Sequence, residues 1–323
     1  MTPKEKVETV DYIMSLSFKN KKPSKNQVIS ILGLNKSTYF AIINHKPSDS
    51  EIQRHKTMDL IYQIYHEYNG IYGSPKIHSI LMNKINISLR TVSIYMKQMG
   101  LKSIVVTKRK HQKQDEQQLP FDIQMCNYIK ESRPMKPHTH ILTDITYIYT
   151  IKSGWTYLLT FMDMFSRKIL AWDLSANMTA SWVTKIAKKL INRYNTIEYI
   201  HSDRGSQYTS KVYLSLLLNN GIAPSFSANG YPYHNAWIES FHAQLKKEYI
   251  YHRNIKDVDE AKICCSYYIE GFYNTIRIQK SLGYLSPNEF EENHSKCISS
   301  SEVSAPKNIF NEFLKQQNKK ITV

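Results

Sequence analysis

Apolar residues recur along this chain with two different periods, and the period changes near residue 138. Before that point the spacing is helical. In SKNQVISILGLNKSTYFAII, residues 24–43, Ser24 and Gln27 form a capping box, Val28, Ile31 and Leu32 are helically spaced, and Gly33 breaks the helix. A second short helix starts near Asn35. A similar unit spans 52–101. Ile61, Ile64 and Tyr65 suit a helix before the turn NGIYGSP, and Pro75 suits the first position of a helix running through Leu81. Ser88 then caps a helix with Leu89, Val92, Tyr95, Met96 and Met99 apolar and Arg90 and Lys97 polar. Both units have helix-turn-helix grammar, in which the second helix offers its first turn to the major groove. The residues placed to touch DNA are Lys36, Ser37, Thr38 and Tyr39 in the first unit, and Arg90, Thr91 and Lys97 in the second. A helical packing domain without DNA contact is the competing reading.

Residues 102–135 lose periodicity. KRKHQKQDEQQ reads as a charged linker in which Lys108, Arg109 and Lys110 could track phosphates. From His138 the pattern is that of strands: 141–149, 157–164 and 169–174, separated by short turns. A helix over 180–194, a short strand ending at His201, a helix over 210–219, a short strand at 222–227 and a helix over 235–251 follow. Three strands, a helix, then alternating strand and helix is the order of an α/β, ribonuclease-H-like fold, a mixed five-stranded sheet with flanking helices. The division this predicts is a helix-turn-helix module over 1–50, a second over 51–110, a linker over 111–135, a catalytic core over 136–256, a C-terminal helical segment over 257–295 and a polar tail over 296–323, with one further helix near 308–317. Recognition of sequence would fall before residue 110 and chemistry after 136.

Composition narrows the class. At 323 residues and 41% apolar content the chain can bury a sizeable core, and no apolar run approaches a membrane span. The first residues, MTPKEKVETVDYI, lack the apolar block of a secretory signal, which makes the cytoplasm the expected compartment. Through Lys136 there are 22 Lys and Arg against 11 Asp and Glu; after it, 21 against 16. A basic front half on a nearly balanced back half points to a nucleic-acid-binding arm. Cys126, Cys264, Cys265 and Cys297 show no metal or disulfide spacing and read as reduced thiols.

The strand alternation puts Leu142, Asp144 and Thr146 on one face and Ile141, Thr143 and Ile145 on the other. A carboxylate in mid-strand is costly to bury unless a cation compensates it. Asp203 falls just past a strand's C-terminal end, where ligands gather in open α/β sheets, and Gly205 lets the chain turn away. Glu239, separated from Asp203 by 35 residues, sits in a helix. Three carboxylates converging from a strand, a strand end and a helix suit hard divalent cations such as Mg²⁺, two of which can stabilise the attacking and leaving oxygens of a phosphoryl displacement. Lys246 lies two turns after Glu239 on the same helix face, where it could hold a DNA phosphate. Asp163 and Asp173 read as turn or salt-bridge residues, and ANGYPYHN, 228–235, as an active-site loop.

TDITYI around Asp144, FMDMFSRKILAW at 161–172, HSDRGSQYTS at 201–210, NAWIESFHAQLKKE at 235–248 and YNTIRIQKSLGYLSPNEF at 273–290 resemble the Asp-Asp-Glu transposases of the IS-three insertion-sequence family (the OrfB-type catalytic protein), relatives of retroviral integrases. The resemblance runs from about residue 20 to about 290. It implies an integrase-type catalytic core, metal ions (Mg²⁺, with Mn²⁺ substituting) on Asp144, Asp203 and Glu239, a cationic Lys246, DNA cleavage, and joining of the 3′-OH to target DNA by a copy-out route. It also implies transposon-end and target DNA as partners, a homo-oligomer on DNA, and an upstream-frame (OrfA-type) partner, consistent with the lack of a sustained heptad repeat here. The closing motif at 273–287 would offer another phosphate-facing surface. His234 stands where the family usually has Asp. A nuclease of the same fold that cuts without joining, and a DNA-binding regulator with an inert core, are the alternatives.

Overall fold

The computed structural model of the chain describes residues 1–17, 22–105, 134–227 and 235–301. The predicted linker with Lys108, Arg109 and Lys110, Cys126, the stretch 228–234 with His234, and the tail from residue 302 lie outside these.

Two three-helix modules come first. The first contains a helix for which the sequence reading had no place, α1 (Pro3–Ser15). Its signal is a second capping box, Thr2 with Glu5, with proline at the first turn. α1 packs Val7 and Val10 against α2 (Lys25–Ile31) and α3 (Lys36–Ile43). Gly33 takes φ +59° between α2 and α3, a backbone that favours glycine. The buried side of α2 is Val28 and Ile29, while Ile31 is 81% exposed, because α1, together with Tyr39 of α3, packs on the side of Ile29. The second module is α4 (Asp49–Glu67), α5 (Ser74–Leu81) and α6 (Leu89–Gln98). Ser88 caps α6 by accepting from the Thr91 N–H at 3.0 Å; Val92 and Met96 are buried, and Leu89 is exposed.

The sheet has the order β3-β2-β1-β4-β5, from β1 (His140–Thr150), β2 (Gly154–Asp163), β3 (Ile169–Ser175), β4 (Tyr199–Ser202) and β5 (Ala223–Phe226). The first three strands are antiparallel, and β4 and β5 run parallel to β1. One face, with Ile141, Leu159 and Phe161, is covered by α7 (Ala180–Arg193) and α8 (Lys211–Asn219). The other, with Leu142, Ile148, Leu158 and Met162, is covered by α9 (Ala236–Glu248) and α10 (Val258–Ser266), which continues as a π-helical stretch, Tyr267–Tyr273. The last element among the described residues is α11 (Pro287–Ser301).

Ile61, Ile64, Tyr72, Ile77 and Leu81 of the second module belong to the same apolar cluster as Leu142, Ile238 and Phe272. The Tyr72 hydroxyl accepts from the Ile278 N–H at 3.1 Å, so this module is docked on the catalytic half rather than tethered beside it. The first module has a cluster of its own.

Candidate active site

Asp144 sits on β1 opposite Thr160 of β2, its side chain largely covered. Asp203 follows the last residue of β4 and accepts the Gly205 N–H at 3.0 Å. A Cβ on Gly205 would come within 3.0 Å of Asp203 Oδ1, so glycine leaves room for the carboxylate. Glu239 lies in the first turn of α9, the helix whose Ile238, Phe241 and Leu245 bury against the face of β1 that carries Asp144.

Charge shows how these groups face one another. Burial pushes the Asp203 carboxyl above its usual range; the Gly205 N–H offsets part of this, and the charge of Asp144 adds to it. Burial also raises Glu239, as do the charges of Asp144 and of Asp203. Burial lowers Lys246, and Asp144 pulls it back up. Three carboxylates and one ammonium from β1, the end of β4 and α9 thus share one electrostatic neighbourhood. Among the described residues, no cation forms an ion pair with Asp203 or Glu239, and no three Asp, Glu, His or Cys side chains draw together as a closed metal-binding group. The donors are all hard oxygens of one sign that repel one another, and a divalent cation fits that set chemically.

One residue of this site escaped the sequence reading. His242 is buried; its Nδ1 lies 3.3 Å from Asp144 Oδ2, and its Nε2 shares a hydrogen bond with the Thr160 hydroxyl at 2.8 Å. These two contacts orient the ring between β1 and β2. The signal was there: His242 is three residues after Glu239 and falls on the stripe of Ile238, Phe241 and Leu245, where a polar group needs partners.

The other predicted positions divide. Lys36, Ser37, Arg90 and Lys97 are exposed, and Thr38 and Thr91 partly so. Tyr39 is not available to DNA: it is 1% exposed in the core of the first module, and its hydroxyl donates to Asp11 at 2.6 Å. Its aromatic ring is worth more against Val7 and Val10 than in water. Within the closing motif Asn274 and Arg277 are interior and do not face a phosphate, while Lys280 and Ser281 are exposed. Asn274 donates to and accepts from the backbone of Ile169 at 3.0 Å each, and Arg277 grips Glu248 at 2.6 and 2.8 Å. Burial alone would raise the Glu248 carboxyl, but Arg277 and the Tyr268 hydroxyl hold it below its usual range. Asp163 is a turn residue, accepting from the His138 and Ser166 N–H groups, and Asp173 accepts from Trp182 and pairs with Lys262 at 3.8 Å. Cys264 and Cys265 are buried free thiols.

The chain matches the integrase core domain over residues 134–232, a second integrase core domain family over 220–287, and an HTH-like domain over 53–111. It is 34% identical over 257 residues to the transposase for insertion sequence element IS904 of Lactococcus lactis, across 78% of this chain and 100% of that one. It is 30% identical over 225 residues to the transposase InsF for insertion sequence IS3A of Escherichia coli, across 68% and 76% of the two chains. The magnesium complex of the HTLV-2 integrase catalytic core domain overlays with a TM-score of 0.39 at 15% identity, over 49% of this chain and 99% of that one.

Proposed function

The chain belongs to the IS-three family of insertion-sequence transposases, an Asp-Asp-Glu polynucleotidyl transferase, and from that premise we propose that it cuts the DNA ends of its own element and joins the freed 3′-OH to target DNA, using Mg²⁺ or Mn²⁺ on Asp144, Asp203 and Glu239. The observation that carries this reading is the mutual repulsion of those carboxylates, gathered from three elements beside Lys246. When bound, a divalent cation supplies stabilisation of the charge that builds on a phosphoryl group.

The protein's own part is positioning. β1 and β2 hold Asp144 and Thr160 in register, and His242 spans them, so the Asp144 carboxylate is restrained before any substrate arrives. Lys246 places an ammonium beside Asp144, where a backbone phosphate of the substrate strand can rest. Away from the site, Lys36, Ser37 and Thr38 at the start of α3, and Arg90, Thr91 and Lys97 on α6, bind the ends of the element: base-edge contacts specify, and phosphate contacts position. The protein works in the cytoplasm as a homo-oligomer on DNA, with an upstream-frame partner.

The test is incubation of the full chain with end DNA, target DNA and Mg²⁺ or Mn²⁺, followed by product sizing. Covalently joined strands are expected; cut ends without joining would make it a nuclease, and binding with no cutting an inert regulator. Asp144→Asn, Asp203→Asn and Glu239→Gln should each lower cutting by at least about a hundredfold while end binding persists. Near-normal cutting by any of them removes that residue from the site.

A further inference from the structure

The outer halves of β1 and β2 carry four aromatic residues in register. Tyr147 faces Tyr157 and Tyr149 faces Trp155, with ring centres 5.3 and 5.4 Å apart and edge-to-face. They share the face that α7 and α8 cover further along the sheet, yet they are not part of that core: Tyr149 is 58% exposed and Trp155 59%. Large rings lined up in solvent mark an interaction surface.

The edge of β1 next to this ladder is open, because β4 pairs with it only as far as Leu142. The segment after α9 folds back along that edge, where the Ile151 N–H donates to Ile255 O at 2.9 Å and the Lys152 N–H to Lys256 O at 2.8 Å. Between them lies a cleft of about 670 Å³, walled by the ladder, Ile250 and Tyr251; among the described residues its lining has two cations, Lys246 and Arg253, and no acidic residue. The Arg253 guanidinium is held 4.0 Å from the centre of the Tyr249 ring.

We propose that this cleft holds unpaired nucleotides of the DNA strand being processed, their bases stacked on the ring ladder and their phosphates on Lys246 and Arg253. The proposal rests on the catalytic reading above. Aromatic faces accept any base, and cations without neighbouring acids match a polyanion. Bases paired inside a duplex have their faces covered by their neighbours, so a stacking ladder selects an unpaired strand. It is also continuous with the carboxylates: Lys246 lines it, and the same ammonium feels the charge of Asp144. Asp144 and Tyr147 point to opposite faces of β1, but they are three positions apart, about 10 Å along the strand. A strand leaving the carboxylates can pass Lys246 and round the open edge onto the rings. Stacking there replaces the stacking lost when terminal base pairs open.

The test is fluorescence anisotropy of the full chain with two probes, a single-stranded thymidine oligonucleotide and a fully paired duplex of the same length. Tyr149→Ala and Trp155→Leu should each weaken binding to the oligonucleotide about tenfold and leave the duplex unchanged, while Tyr149→Phe and Trp155→Phe keep wild-type affinity. Trp155→Leu keeps an apolar side chain and removes only the π face, so the comparison with Trp155→Phe stands even if the alanine variant folds poorly. No loss, or an equal loss on both probes, overturns the proposal. So does sedimentation showing that the variants dissociate a dimer with their DNA affinities intact, because the ladder is then a contact between copies. Ring-dependent binding by a wild-type protein that cuts no DNA would sink the catalytic reading and leave the cleft standing.

Discussion

Lys76, in the first turn of α5, is where the docking of the second module can be measured. Its Nζ lies 4.5 Å from the centre of the Tyr72 ring. Burial, reinforced by the charge of Arg277 and opposed by Glu248, moves its pKa from the ordinary 10.5 down to about 7. Below about pH 7 the folded and unfolded chains both carry the proton, and folding bears the full cost of covering an ammonium. Between about 7 and 10.5 the unfolded chain holds a proton that the folded chain has released, so stability rises with pH across that window. The limit is ~1.4 kcal/mol per pH unit. Lys76 keeps some contact with solvent, so the rise from about pH 7 to about pH 9 should be roughly 2 kcal/mol. Lys76→Met keeps the packing of the stem and removes the charge, losing about 1 kcal/mol of ring attraction. It should be about 2 kcal/mol more stable than wild type near pH 7 and should lose that advantage by about pH 10. Urea unfolding followed by tryptophan fluorescence at both pH values gives the comparison. If wild type and variant climb equally with pH, Lys76 stays charged in the fold, and the interface between module and core is wetter than this argument requires.

Three other outcomes are expected. His242→Phe should lower cutting about 10- to 100-fold and raise the Mg²⁺ concentration needed for half-maximal activity, with end affinity unchanged; an unaltered Mg²⁺ dependence would reduce His242 to a packing residue. Lys246→Ala should reduce cutting less than loss of a carboxylate does, and should shallow the salt dependence of DNA binding by about one phosphate contact; an unchanged slope with full activity returns it to the ordinary surface. Deleting residues 1–47 should spare folding and cutting of pre-branched DNA but abolish preference for the element's ends in competition against scrambled DNA, since the first module has its own core. Undiminished preference would show that α3 is not the reader.

Periodicity made most of this molecule legible. The alternation that put Asp144 on one face of a strand, the capping residues Ser24 and Ser88, and the strand-and-helix order after residue 138 all reappear in the fold, because each rests on interactions within a few residues. α1 was missed although it obeys the same local rule, since its capping box stands almost at the first residue and its apolar stripe is short. Asp144, Asp203 and Glu239 were picked out by residue type and by resemblance, and the fold brought them within reach of one another's charge.

Partner choice was different in kind. Nothing local separates Tyr39 from its exposed neighbours on α3 or Ile29 from Ile31 on α2; the approach of α1 buries one and leaves the other. Arg277 lies in the closing motif, for which resemblance implies a phosphate-facing surface, and only the distant Glu248 and Tyr268 turn it into an interior ion pair. His242 gains its meaning from Thr160, 82 residues away in sequence. The second module looks like a separate unit ahead of a charged stretch, yet Tyr72 closes a hydrogen bond across 206 residues. Local sequence determines period, caps and turns, because those energies are settled within one turn of helix or one pair of strands. Which face is covered, and by which charge, depends on contacts between residues far apart in the chain, and those exist only once the chain has closed on itself.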